Sequence, residues 1–166
     1  MRSSHLDWQP VEQANSEPTV QLCAFRVGSA EYVIDLRRVE EILRLPKLTH
    51  VPRAPAHIDG VVNVRGAILP AIDLRARLQM GAPAAASRPK CMICRIGRER
   101  VAILVDGMSE VVRLPRADLK PAPPLLSSAA RPYVIGVCGP PRNLKLLLDL
   151  RALFEPQPAA AEEEPQ

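Results

Sequence analysis

Few residues in this 166-residue chain could do chemistry, and their spacing argues against most of it. Cys91-Met92-Ile93-Cys94 has the spacing of a thiol pair, but zinc needs a second such pair or histidines at ligand spacing. His5, His50 and His57 offer neither. The segment also reads as a strand, where residues three apart point to opposite faces, so the thiols are expected to be buried and reduced. Asp35, Asp73, Asp106 and Asp149 each follow an apolar residue, where an acid caps the free amides of the next turn. Nothing in their spacing brings two carboxyls to one pocket for acid–base work. There is no Gly-rich phosphate loop, nucleophile elbow or metalloprotease helix. No catalytic residue, metal or cofactor is expected.

One turn stands out. Val61-Val62-Asn63-Val64-Arg65-Gly66-Ala67-Ile68-Leu69-Pro70 reads as strand, tight turn, strand, with Gly66 supplying a positive φ. In the second half of the chain Arg142-Asn143 holds the like place, with Asn as the next best residue for that conformation. Arg65 is either a solvated turn arginine or the partner of a carboxylate near a strand end, with Glu41 the candidate. Pro70 removes a ladder donor, which predicts an edge or a bulge at that position.

The elements that position these residues are short strands. Branched aliphatic runs at Leu22–Val27, Tyr32–Ile34, Ile42–Leu45, Val61–Val64, Ile68–Ile72, Cys91–Ile96, Val101–Val105, Val111–Leu114, Val134–Val137 and Leu144–Leu148 are separated by turn residues. Short helical turns are expected after Asp35, Asp73 and Asp149. The chain is 47% hydrophobic but only 3% aromatic, so the core must be built from Val, Ile, Leu and Ala. No apolar run is long enough for a membrane helix and no signal peptide is read, which predicts a cytoplasmic location.

An internal duplication organises these strands. Glu41-Ile42-Leu43-Arg44-Leu45 matches Glu110-Val111-Val112-Arg113-Leu114. Ile58-Asp59-Gly60-Val61 matches Val134-Ile135-Gly136-Val137, and Ile72-Asp73-Leu74-Arg75-Ala76 matches Leu148-Asp149-Leu150-Arg151-Ala152. The matches fall in one order at nearly constant separation. Residues 21–80 and 90–154 are therefore expected to be two copies of one unit, joined by an Ala/Pro/Ser-rich linker over 81–89, with strand exchange between them left open. Residues 1–20 and 155–166 read as disordered tails. Units this small have thin cores and should pack together, leaving a groove between them.

The formal net charge is +4, and both tails are acidic, so the middle is strongly basic. This motivates a rival reading as a basic β-barrel that binds nucleic acid. Such barrels stack bases on exposed aromatics, and Phe25, Tyr32, Tyr133 and Phe154 all lie in or beside apolar runs. Binding to nucleic acid is not expected.

From Leu22 to Phe154 the chain resembles the CheW family of chemotaxis adaptors. The resemblance rests on Phe25 with Tyr32-Val33-Ile34-Asp35, on Val39-Glu40-Glu41-Ile42, and on Val51-Pro52 with Pro55. It continues through Gly60-Val61-Val62-Asn63-Val64-Arg65-Gly66 and Leu69-Pro70-Ala71-Ile72-Asp73-Leu74. In the second half it rests on Val105-Asp106-Gly107-Met108-Ser109-Glu110-Val111, Pro121-Ala122-Pro123, Tyr133-Val134-Ile135-Gly136-Val137 and Leu146-Leu147-Leu148-Asp149-Leu150. It implies a mainly all-β fold with short helices, two packed five-stranded SH3-like β-barrels. It also implies a scaffold without catalysis, coupling chemoreceptors to a CheA-type histidine kinase. The implied partners are the receptor's cytoplasmic hairpin tip, held in the groove between barrels, and the kinase's regulatory domain. It implies, too, recruitment to membrane-associated receptor arrays without direct membrane insertion. Matched residue by residue, Val39, Glu41, Gly60, Arg65, Gly66, Val105, Asp106 and Gly107 are the implied receptor- or kinase-binding positions. The Gly139-Pro140-Pro141-Arg142 turn, the basic middle and the acidic tail depart from the family pattern.

Overall fold

The computed structural model describes residues 18–80 and 88–155. The expected tails and most of the expected linker lie outside the described residues. Ten strands form: β1 (Thr19–Val27), β2 (Ala30–Asp35), β3 (Val39–Arg44), β4 (Gly60–Val64), β5 (Ala67–Asp73), β6 (Lys90–Ile96), β7 (Glu99–Val105), β8 (Gly107–Pro115), β9 (Val134–Cys138) and β10 (Lys145–Leu148). The two short helices are α1 (Leu74–Arg77) and α2 (Leu150–Phe154), and a 3-10 turn spans Leu36–Arg38. The acids expected to cap these turns do so. Asp35 accepts from Arg37 N at 2.9 Å, Asp73 from Arg75 N at 3.0 Å and Asp149 from Arg151 N at 3.0 Å.

The strands form two five-stranded sheets, ordered β8-β1-β2-β10-β9 and β3-β6-β7-β5-β4. The first mixes β1 and β2 with the last three strands; the second mixes β6 and β7 with β3, β4 and β5. Each sheet thus takes two leading strands from one half of the chain and three trailing strands from the other. The halves exchange strands, and the sequence repeat is not a spatial unit. Four pairings join the halves: β10 with β2 and β5 with β7 in parallel, β1 with β8 and β3 with β6 antiparallel. All other pairings are antiparallel.

The duplication maps one sheet onto the other strand for strand, and the register agrees. Phe25 faces Met108 across β1 and β8, as Cys94 faces Val39 across β6 and β3. Neither sheet is closed by a ladder: among the described residues no strand pairing joins β8 to β9 or β3 to β4. Single bridges begin the closure, Thr49 with Val61 and Lys120 with Val137, again at equivalent places.

Three hydrophobic clusters explain why the leading strands read as unbroken apolar runs. Alternate residues of β6 go to different cores: Met92 and Cys94 to the large one, Cys91 and Ile93 to a second. The same alternation puts Cys23 and Phe25 of β1 in the large core and Leu22 and Ala24 in a third. The large core lies between the sheets, and each sheet curls around a smaller cluster to which all of its strands contribute. A strand buried on both faces loses the polar alternation of a surface strand. Sharing the large core is what makes two thin units stable together.

Pro70 sits on β5, which is an inner strand rather than an edge. It is tolerated because the β7 ladder begins one residue later, at Ala71. Its β4 partner Val61 already exchanges both backbone bonds with Thr49, at 2.9 Å each, so no donor is demanded of the proline.

Candidate functional site

The first group of residues lies along the open side of the second sheet. Glu41 is on β3 and Arg65 is at the tip of the β4–β5 hairpin, so the two come from opposite ends of the sheet. Arg65 Nη1 donates to Glu41 Oε2 at 2.6 Å, and Nη2 donates to Oε1 in the same two-pronged contact. Hydrogen bonding from this guanidinium holds the Glu41 carboxyl below the ordinary glutamate range. Both alternatives open to Arg65 are thus resolved in favour of the pairing, although its own side chain remains mostly exposed.

The hairpin tip explains how Arg65 is aimed. Arg65 and Gly66 both have positive φ, 51° and 84°, the signature of a type I′ turn. The sequence assigned a positive φ to Gly66 alone. Asn63 Oδ1 accepts from Gly66 N at 3.0 Å and fastens the turn. The second-half hairpin differs from expectation: its left-handed residue is Gly139 (φ 90°), not Asn143. Pro140 and Pro141 fix φ near −65° and cannot form a type I′ turn, so a longer loop joins β9 to β10.

Gly60 opens β4 beneath the Thr49 bridge. A Cβ there would lie 2.5 Å from Thr49 O and 2.9 Å from Leu48 Cδ1, so the residue is a packing requirement. Gly136, its duplicate, meets Lys120 O at 2.9 Å in the same way. Val39 begins β3, half-buried against the large core. A bulge between Val39 and Glu41 lets the adjacent acids diverge. Glu40 accepts from Arg95 Nε at 2.6 Å and Arg100 Nε at 2.8 Å.

The second group lies where the chain crosses from β7 to β8, that is, from one sheet to the other. Val105 is buried in the large core. Asp106 accepts from Gly28 N, in the β1–β2 turn, at 2.6 Å. It also accepts from Arg75 of α1, through Nε at 3.3 Å and through Nη2. One carboxylate therefore ties a turn of the first sheet to a helix that follows the second. A Cβ at Gly107 would meet Arg26 Nη2 at 2.9 Å. Among the described residues, no hydrogen bond or ion pair joins this group to the first.

Sequence reasoning missed three features. Arg75 is the counter-charge of Asp106. Lys145, almost fully buried, lies between Glu31 at 3.2 Å and Glu110 at 3.7 Å. Glu110 duplicates Glu41, so the acid that pairs with Arg65 in the second sheet has a lysine of β10 beside it in the first. Third, aliphatic residues are exposed in duplicate: Ile42 (44%) and Ile68 (68%) on one sheet, Val111 (58%) and Leu144 (43%) on the other. The repeat already aligned Ile42 with Val111, and exposure is what the sequence could not supply.

The candidate chemistry of the sequence is sealed. Cys91 and Cys94 project into different cores, and burial pushes their thiols up to about 11 and about 12. Phe25, Tyr32 and Tyr133 are buried and Phe154 is half-buried. Among the described residues no aromatic is fully exposed. No helix of the described residues is long and apolar enough to cross a membrane.

Comparison with known proteins decides the family. The CheW-like domain family matches residues 21–157. This chain belongs to the CheW-like domain family. A probable chemotaxis protein CheW of Rhizobium etli is 34% identical over 134 residues, covering 81% of this chain and 86% of that protein. Protein FrzA of Myxococcus xanthus is 33% identical over 124 residues, covering 75% and 77%. Among solved structures, the scaffolding protein TtCheW of Thermoanaerobacter tengcongensis shares the fold with a TM-score of 0.73 at 25% identity. The likeness covers 83% of this chain and 94% of that one. The two-sheet, mainly β architecture is thus that of a CheW-like domain.

Proposed function

We propose that this protein is a chemotaxis adaptor that couples the cytoplasmic hairpin tip of chemoreceptors to the regulatory domain of a CheA-type histidine kinase. It acts by binding alone, as a scaffold. The observation that carries the reading is the duplicated pair of exposed aliphatic sites, Ile42 with Ile68 and Val111 with Leu144, on two sheets locked by one shared core. Exposed aliphatics repeated at equivalent positions of the duplication suit association with other β-barrel surfaces. The inter-sheet junction, where Ile96, Ile135 and Leu150 line a pocket, suits an apolar helix face.

In this reading Val39, Glu41, Gly60, Arg65 and Gly66 form one binding region and Val105, Asp106 and Gly107 another. Coupling needs no chemistry. It needs two surfaces held at a fixed angle, so that a shift in one partner biases the arrangement of the other. Glu41–Arg65 and Asp106–Arg75 fix the outer edge of one sheet and the crossing between sheets.

The test is a pull-down of receptor hairpin fragment and of kinase regulatory domain, each separately, by the full chain. Wild type is expected to capture both. I68E and V111E, both at exposed positions, are expected to lose the kinase domain while keeping the hairpin. Capture of neither partner by the folded wild type would refute the reading.

A further inference from the structure

The duplication is broken at one place, and the break leaves a charged opening. At the first inter-sheet junction, Asp106 sits two residues before Met108, accepts from Gly28 N at 2.6 Å and pairs with Arg75. The register places Arg37 at the matching position of the other half, two residues before Val39. Arg151 of α2 duplicates Arg75, and Gly97 duplicates Gly28, with φ of 61° and 62°. The positions of an acid–base clasp in one half are therefore both held by bases in the other.

The consequence is visible at the second junction. Arg37 turns away to Asp35, at 2.7 Å. Val27 is fully buried, but its duplicate Ile96 is only partly covered and lines a pocket of about 300 Å³ with Arg38, Ile135, Leu150 and Arg151. Two acids also line it, and both are engaged: Asp35 by Arg37, and Asp149 by the amides of Arg151 and Ala152. Arg38 and Arg151 make no side-chain hydrogen bond or ion pair among the described residues. Arg38 acts on Asp35 only at a distance, so the junction holds two guanidinium groups with unused donors beside apolar surface, where its twin holds a clasped carboxylate.

We propose that this junction takes a carboxylate in trans: an Asp or Glu side chain on a partner's amphipathic helix seats between Arg38 and Arg151, with its apolar neighbours against Ile96, Ile135 and Leu150. The site rests on the reading that the groove between the sheets holds a receptor helix, and it names the residue chemistry that sets the helix's register. The pattern to look for is an acid flanked at helical spacing by aliphatics. Asp106 is the internal template for the contact.

The test is a titration of the full chain with receptor cytoplasmic hairpin fragment at low and moderate salt. R38E/R151E should fold as wild type, since both side chains are exposed, and should bind about tenfold more weakly, the range expected for close interfacial charge pairs. Replacing the acids of the hairpin by Lys, one at a time, should restore binding to R38E/R151E at one position only. If wild type binds and R38E/R151E binds equally well, this site is wrong while the adaptor reading stands. If wild type does not bind the fragment at all, the adaptor reading fails first. If neutralising Glu162, Glu163 and Glu164 to Gln abolishes the effect of the arginine reversal, the chain's own tail is the occupant and the proposal is overturned.

Discussion

Glu41 and Arg65 join two strands that share no ladder. β3 and β4 are the outermost strands of one sheet, and the guanidinium at the hairpin tip spans the gap between them with a 2.6 Å hydrogen bond. The pair substitutes for backbone closure at the open side of the sheet, and it holds the exposed surface around Ile42 and Ile68 in one shape.

Arg65→Ala is expected to leave the fold intact with little change in melting temperature, because an exposed ion pair contributes little to stability. It should release the Glu41 carboxyl toward the ordinary glutamate range. Glu41 is depressed in the folded state, so whatever stability the pair gives is present above the unfolded value and lost as pH falls through the folded one. A carboxyl NMR titration of both proteins checks this; an unmoved Glu41 would contradict the pairing. Receptor or kinase binding should fall with the fold retained.

The two site glycines should respond differently to alanine. At Gly66 a Cβ meets nothing within 4 Å, so Gly66→Ala loses only the left-handed backbone preference, about 1 kcal/mol. At Gly60 the Cβ collides with Thr49 O, a backbone atom that cannot rotate away, and the cost should reach about 2–3 kcal/mol. Urea unfolding of both variants gives the order; equal losses would mean the Thr49 bridge yields freely.

The Asp106–Arg75 clasp is a stability feature as well as a candidate site. Both side chains are largely buried, at 18% and 11% exposure. Asp106→Ala should cost about 3 kcal/mol, since it removes the counter-charge of Arg75 and the acceptor of the Gly28 amide. Arg75→Ala made on top of it should cost much less than it does alone. A double-mutant cycle with additive losses would show that the two side chains do not act together.

Thiol reactivity should track unfolding. All four cysteines are buried, and those of β6 are pushed up to about 11 and about 12. Because the thiolate is the reactive form, a colourimetric thiol reagent at pH 8 should label the native protein slowly and the urea-unfolded protein at once. Rapid labelling of one native cysteine would place it at the surface.

Much of this was legible in the sequence, for reasons tied to particular residues. The strands around Phe25, Ile72 and Ile103 announced themselves as aliphatic runs, and Asp35, Asp73 and Asp149 marked the short helical turns after them. The repeat predicted equivalence, and Arg65 found the partner proposed for it. The strand exchange was not legible. It depends on β10 joining β2 and β5 joining β7 in parallel and on β1 joining β8 and β3 joining β6, all pairings of strands far apart in the chain that leave no local turn signature. Arg75 was missed because its partner Asp106 lies 31 residues away, with nothing in the spacing to link them. Asn143 misled because its loop is governed by two prolines rather than by its own preference.

One rigid body should hold two different partners at once. Size-exclusion chromatography with light scattering, on an equimolar mixture of this protein, receptor hairpin fragment and kinase regulatory domain, reads this out. A single species containing all three chains is the predicted result. Two separate binary complexes, with hairpin and kinase domain displacing one another, would contradict it.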